Sequence, residues 1–147
     1  MNDNKAEIAI LQGDECDVEL IIGVLRQQHP SRNIVHLKDG AEALAFFLRC
    51  YASLKIIILD LTIPNLKAFD ILRQIKSDER TRSIPVLVFS SSSSKHDLKR
   101  AYDLGANSYI LKPLQSDALR QTIAQLGLYW LSLNKLPPRQ SSFHEIY

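Results

Sequence analysis

Cysteine is scarce in this chain: two in 147 residues, Cys16 and Cys50. Two thiols so far apart in sequence supply neither a disulfide framework nor the paired ligands of a zinc cluster, and they are expected to stay reduced in a cytoplasmic protein. Long hydrophobic runs are missing as well; none approaches the roughly 20 apolar residues that a membrane helix needs. The opening Met1-Asn2-Asp3-Asn4-Lys5 lacks the charged-then-apolar form of a secretory signal. Neither sign of charge prevails, since 18 basic residues against 16 acidic ones leave a net +2. Nucleic-acid binding is therefore unsupported, because it calls for a concentrated basic patch that releases counterions. No Gly-rich phosphate loop, His-Glu-x-x-His pair or serine-hydrolase elbow occurs. The histidines His29, His36, His96 and His144 show no ligand spacing with cysteine or acid.

What is present is an ordinary globular composition, 46% hydrophobic and 23% charged. Apolar stretches of strand length alternate with amphipathic ones from end to end. Strands are expected over residues 7–12, 33–37, 55–60, 85–90 and 108–111. The third and fourth, Lys55-Ile-Ile-Ile-Leu-Asp60 and Pro85-Val-Leu-Val-Phe-Ser90, are short and almost continuously apolar. Strands covered on both faces read that way, so a parallel sheet is expected. Between strands the spacing turns helical. Val18, Ile21, Ile22 and Leu25 share one helix face until His29-Pro30 closes the stretch. Asp39 and Glu42 resemble a capping box ahead of Leu44, Phe47, Leu48 and Tyr51. Ala68, Ile71, Leu72 and Ile75 repeat the pattern. Leu98, Ala101 and Tyr102 follow a Ser94 cap and stop at Gly105. Ser116 reads as the cap of a last helix bearing Leu119, Ile123, Leu126, Trp130 and Leu133. Repeated β–α units predict a doubly wound α/β sandwich, since each right-handed crossover lays its helix on a face of the sheet. One domain over residues 1–136 is expected, followed by a short tail over 137–147 and no output domain.

Ligands of such sheets bind beyond the carboxyl ends of the strands. The residues expected there are Asp14, Asp60, Ser90 and Lys112, each directly after an apolar run. Any one of them alone could be a strand that ends at a polar residue; a hydroxyl, a lysine and two acids on one edge form a site. Two neighbouring carboxylates repel unless a cation intervenes, and hard oxygen donors suit Mg²⁺. A carboxylate can also attack phosphorus to give an aspartyl-phosphate. The charge gained would then call for an ammonium and a hydroxyl, which Lys112 and Ser90 provide.

These residues resemble the receiver domains of bacterial two-component response regulators, over nearly the whole chain. Ile57-Ile58-Leu59-Asp60-Leu61-Thr62-Ile63-Pro64 resembles the phosphoacceptor segment. Residues 84–90 resemble the strand that ends in the switch Ser or Thr. Gly105-Ala106-Asn107-Ser108-Tyr109-Ile110-Leu111-Lys112-Pro113 resembles the segment that supplies the phosphate-pairing lysine. The resemblance implies a five-stranded parallel sheet in the order 2-1-3-4-5. It also implies that a histidine kinase phosphorylates Asp60, with Ser90, Tyr109 and Lys112 responding to the phosphoryl group. Mg²⁺ would be held by Asp14, Asp60 and the Thr62 backbone carbonyl, and the Lys112–Pro113 peptide would be cis.

Departures from the family pattern bear on the metal. Receivers carry two adjacent acids after the first strand, and this chain reads Gly13-Asp14 there, with Glu15 available to supply the missing charge. Lys67-Ala68 stands where relatives favour an acid and a glycine; Lys67 either raises the local potential or is a solvated loop residue. Weakened Mg²⁺ affinity is the expectation. A docking module with impaired phosphorylation is the alternative function. Residues 125–138 resemble the extended last helix of stand-alone receivers found beside bacterial phytochromes, which implies a phytochrome-type kinase and a homodimer. Leu128, Tyr129, Trp130 and Leu131 wrap most of the way around a helix, so either a second copy covers them or the Pro137-Pro138 segment does.

Overall fold

Continuous apolar runs place both faces of the central strands in the interior. A computed structural model of the chain describes residues 5–63 and 67–138; Pro64 of the expected acceptor segment and the tail from residue 139 lie outside the described residues. The strands β1 (Ile8–Leu11), β2 (Ile34–His36), β3 (Ile56–Leu59), β4 (Val86–Ser90) and β5 (Ser108–Leu111) pair in parallel in the order β2-β1-β3-β4-β5. They alternate with α1 (Glu15–Gln28), α2 (Gly40–Cys50), α3 (Ala68–Ser77), α4 (Lys95–Asp103) and α5 (Ser116–Gly127). The α/β class, the strand count and the order expected from the resemblance all hold. Most strands are shorter than their apolar runs, because flanking residues such as Glu7 bond only at the margins of the ladder.

Alternation along each strand builds two cores. Ala9, Leu11, Ile57, Leu59, Val86 and Val88 face Phe46, Phe47, Ile71, Leu72, Ile75 and Ala101 of α2, α3 and α4. Ile8, Ile10, Ile56, Ile58, Leu87 and Phe89 face Ile21, Leu25, Leu119, Ile123 and Leu126 of α1 and α5. Within the described residues, no helix is long and apolar enough to cross a membrane.

Helix ends follow local chemistry. Asp14 and Asp39 cap α1 and α2 by accepting from Asp17 N and Glu42 N, at 3.1 and 3.0 Å. Ser94 caps α4 by accepting from Asp97 N at 3.2 Å. Gly105, at φ 103°, turns the chain out of α4, while Ala106 N donates to Ala101 O and Gly105 N to Tyr102 O, each at 3.0 Å. That pair of bonds is a Schellman motif.

Two expectations need correction at the C-terminal end. Ser116 is not a cap; it is the first residue inside α5, and Gln115 before it makes no side-chain capping bond. The last helix also does not continue as an α-helix with an exposed apolar girdle. After Gly127 it widens into a π-helical stretch, Leu128–Leu133. This rotates Leu131 inward to 7% exposure, where it joins the α1/α5 core with half-buried Trp130. Leu131 is therefore covered by its own chain and is not interface surface. Leu128, Tyr129 and Leu133 stay 53%, 49% and 61% exposed.

Candidate functional site

Parallel pairing brings the carboxyl ends of all strands to one edge, and the strand order reverses between β1 and β3, where such sheets bind ligands. The register sets Leu11 level with Leu59, so Gln12 and Asp60 follow side by side. Asp60 N donates to Leu11 O at 2.9 Å, and Lys112 N to Ser90 O at 2.8 Å, which extends the pairing past the strand ends. Continuing the alternation turns Gln12, Asp60 and Lys112 toward α1 and α5, and Ser90 and Tyr109 toward α4.

Asp60 is 4% exposed. Its Oδ1 accepts from Thr62 N at 3.0 Å and from Thr62 Oγ1 at 2.8 Å, and its Oδ2 accepts from Lys112 Nζ at 3.0 Å. Two polar donors and one ammonium offset the burial of this charge, which would otherwise cost several kcal/mol. Lys112 Nζ also lies 2.9 Å from Asp17 Oδ2 and 5.8 Å from the centre of the Phe89 ring. The arrangement can hold a nucleophilic oxygen next to a fixed positive charge.

Ser90 is fully buried and its Oγ accepts from Ser92 N at 3.2 Å. Tyr109 donates its hydroxyl to Ser92 O at 2.8 Å. The two residues expected to move together are thus tied to one intervening residue. The cis peptide expected at Lys112–Pro113 is a correction: no cis bond occurs among the described residues. The trans form is the lower-energy one by ~0.5–1 kcal/mol, and the continued ladder with two carboxylates suffices to aim Lys112.

The acids expected to hold a cation are not assembled around Asp60. Asp14 is exposed, with Oδ1 engaged as the α1 cap. Glu15 is exposed and stands 3.7 Å from Lys38 Nζ. The two residues directly after β1 are Gln12 and Gly13. Gln12 is buried, with Nε2 donating to Phe89 O at 3.2 Å and Oε1 without a partner among the described residues. No group of three His, Cys, Asp or Glu side chains among the described residues could hold a metal ion. Of the carboxylates expected to hold a divalent cation, only Asp60 stands at the strand edge, with its oxygens engaged by Thr62 and Lys112. Lys67 is exposed at a left-handed φ of 48° just before α3.

Sequence reading missed Asp17. It is the third residue of α1 rather than a strand end, and only the packing of α1 against the sheet carries it to Lys112. One signal existed: an acid in the first turn of the helix that follows β1.

Comparison with known proteins agrees with this geometry. Residues 8–124 match the family model of the response regulator receiver domain. The chain is 36% identical over 135 residues to the probable methanogenesis regulatory protein FilR2 of Methanothrix harundinacea, covering 88% of this chain and 86% of that protein. Among solved structures, the phosphorylated cyanobacterial phytochrome response regulator RcpA superposes with a TM-score of 0.83 at 32% identity, covering 90% of this chain and 98% of that one. The Mn(2+)-bound form of response regulator Rcp1 gives a TM-score of 0.81 at 26% identity, covering 90% and 99%.

Proposed function

The chain belongs to the response regulator receiver domains of two-component signalling, and from that premise we propose that Asp60 is the phosphoacceptor, loaded by a sensor histidine kinase. The observation that supports this most directly is the buried contact between Lys112 Nζ and Asp60 Oδ2 at 3.0 Å. The alternative, a docking module with phosphorylation impaired by Gly13 and a depleted acidic pocket, finds no support in the family match or in the relatives.

Both lone pairs of Asp60 Oδ1 face Thr62 donors, whereas Oδ2 accepts only from Lys112 among the described residues. Oδ2 is accordingly the attacking atom. An Oδ2–P bond forms as the P–N bond of the kinase phosphohistidine breaks, and the electron pair returns to the imidazole nitrogen, which takes a proton from water. Lys112 neutralises part of the transferred charge, so the catalysis is positioning and electrostatics. The phosphoryl group then accepts from the Ser90 hydroxyl, and the movement this requires draws Ser90 Oγ away from Ser92 N. Because Tyr109 is held by Ser92 O, withdrawal of Ser90 loosens the anchor of Tyr109 too. Phosphate thus biases a two-state element at the edge of α4 and β5.

The phytochrome response regulators among the structural relatives support a photoreceptor-type kinase. We assign the chain to the cytoplasm, residues 1–136 to the receiver and residues 137–147 to a tail. Exposed Leu128, Tyr129 and Leu133 are the surface for a second copy, and a Tyr129→Lys chain should sediment as a monomer where the native chain sediments as a dimer. Divalent-ion affinity is below that of ordinary receivers. The decisive experiment is incubation with acetyl phosphate, and separately with the cognate phosphorylated kinase, followed by intact mass. One added phosphoryl group that Asp60→Asn abolishes is expected; no addition from either donor would falsify the assignment.

A further inference from the structure

Lys112 serves two carboxylates at once. Asp17 Oδ2 lies 2.9 Å from its ammonium and Asp60 Oδ2 lies 3.0 Å away, and the Lys112 side chain is only 7% exposed. Asp17 sits in the first turn of α1, so its position depends on where α1 packs and not on any strand. The other acids of this region are directed elsewhere: Asp14 to its helix cap, Glu15 toward Lys38. At the two positions after β1 stand an amide turned to Phe89 O and a glycine.

The Asp60 carboxylate has four lone pairs. Two on Asp60 Oδ1 face Thr62 and one on Oδ2 faces Lys112, which leaves one, and the nucleophile needs it. A divalent ion at this place would have to displace one of these donors. It would also stand beside an ammonium, and the one further acid at that ammonium, Asp17, is already paired with it.

We infer that this site works with the Lys112 ammonium alone and no divalent cation beside it, with Asp17 as the positioning residue that holds Lys112 on Asp60. The inference rests on Asp60 being the acceptor. Lysine is a point charge on a flexible four-carbon stem, so one carboxylate partner leaves it free to swing and a second pins it. At metal sites a partner that orients a ligand is worth about 10–100-fold, and Asp17 is expected to matter to Lys112 to a similar order.

The test has two arms on the full chain. In the first, protein is titrated into Mn²⁺ while the free-ion electron paramagnetic resonance signal is followed, for the native chain and for Gly13→Asp. A Cβ at Gly13 would lie 3.5 Å from Ile63 Cγ1, an ordinary contact, so the added acid fits. The native chain is expected to leave the signal intact at concentrations where Gly13→Asp depletes it, a gain in affinity of about tenfold or more. Depletion by the native chain as strong as by Gly13→Asp overturns the inference. In the second arm, loading from acetyl phosphate is followed by mass in EDTA and in Mg²⁺. Equal rates are expected, with Asp17→Asn slower by about tenfold, its thermal midpoint little changed, and Asp17→Glu restoring most of the rate. Loading that stops in EDTA refutes the fixed ammonium, and Asp17→Asn loading at the native rate refutes the positioning role. Absence of loading in every arm and from the kinase refutes Asp60 as acceptor and Asp17 with it, while the Mn²⁺ titration still judges the cation.

Discussion

Lys112 and Asp60 form an ion pair that water hardly reaches: their side chains are 7% and 6% exposed, at an N–O separation of 3.0 Å. Removing the ammonium leaves a buried carboxylate beside Asp17, and breaking a buried pair costs about 3–5 kcal/mol. Lys112→Met is therefore expected to lower the urea midpoint at pH 7 by the equivalent of about 3 kcal/mol. Lys99–Asp103 is the control. It is shorter, at 2.6 Å, but its side chains are 78% and 62% exposed. Lys99→Met should cost no more than about 0.5 kcal/mol. Equal losses in the two variants would show that burial does not govern the Lys112 pair.

Gly105 is held at φ 103°, and a Cβ there would sit 2.8 Å from Lys76 Cγ. Lys76 cannot easily yield, since its ammonium donates to Ile84 O and Asn107 Oδ1, both at 2.8 Å. Gly105→Ala combines a disfavoured backbone with a clash, and should destabilise by about 1–3 kcal/mol. Thermal unfolding of the variant measures it, and an unchanged midpoint would contradict the conformation assigned here.

Caps offer a sharper contrast. Ser94 Oγ accepts from Asp97 N, while α5 has no side-chain cap and Ser116 lies inside it. Ser94→Ala should cost about 1 kcal/mol, and Ser116→Ala less than about 0.5 kcal/mol. Denaturant titration of both variants decides; the reverse ranking would restore Ser116 as a cap.

His29 closes α1 with its Nε2 buried and unpartnered among the described residues. Burial, aided by the nearby Arg32 charge, holds its imidazole below the ordinary 6.5. The unfolded chain then binds this proton more readily than the folded one, so stability falls as the pH drops through about 6.5 toward the lower folded value. Unfolding midpoints between pH 7.5 and 5 (about one unit above and 1.5 units below the free imidazole) should decline for the native chain and less steeply for His29→Gln. Parallel slopes would remove His29 as the cause.

Much of the fold was legible because local chemistry and global architecture agree. Ile56-Ile57-Ile58-Leu59 can only be a strand covered on both faces, and Asp39, Ser94 and Gly105 announce helix ends through bonds made within a few residues. Asp60 and Lys112 were legible for a related reason: a charged residue at the end of an apolar run must leave the core at the edge where all the strands end. Ser116 misled because a hydroxyl before a helix is as compatible with its first turn as with its cap. Leu131 misled because α-helical periodicity was extended through a segment that widens to a π-helix.

By itself, the order of residues determined the parallel sheet, the edge on which chemistry collects and the pairing of Asp60, the proposed acceptor, with its lysine, since each depends on a burial pattern written along single strands. Which acid faces that lysine was decided only in three dimensions. Asp14 and Asp17 are both in reach of the first helix turn, but the N-terminus of α1 draws Asp14 onto its free amides and the packing of α1 on the sheet swings Asp17 to Lys112. Such a choice depends on how two elements pack together, and no one-dimensional pattern records it.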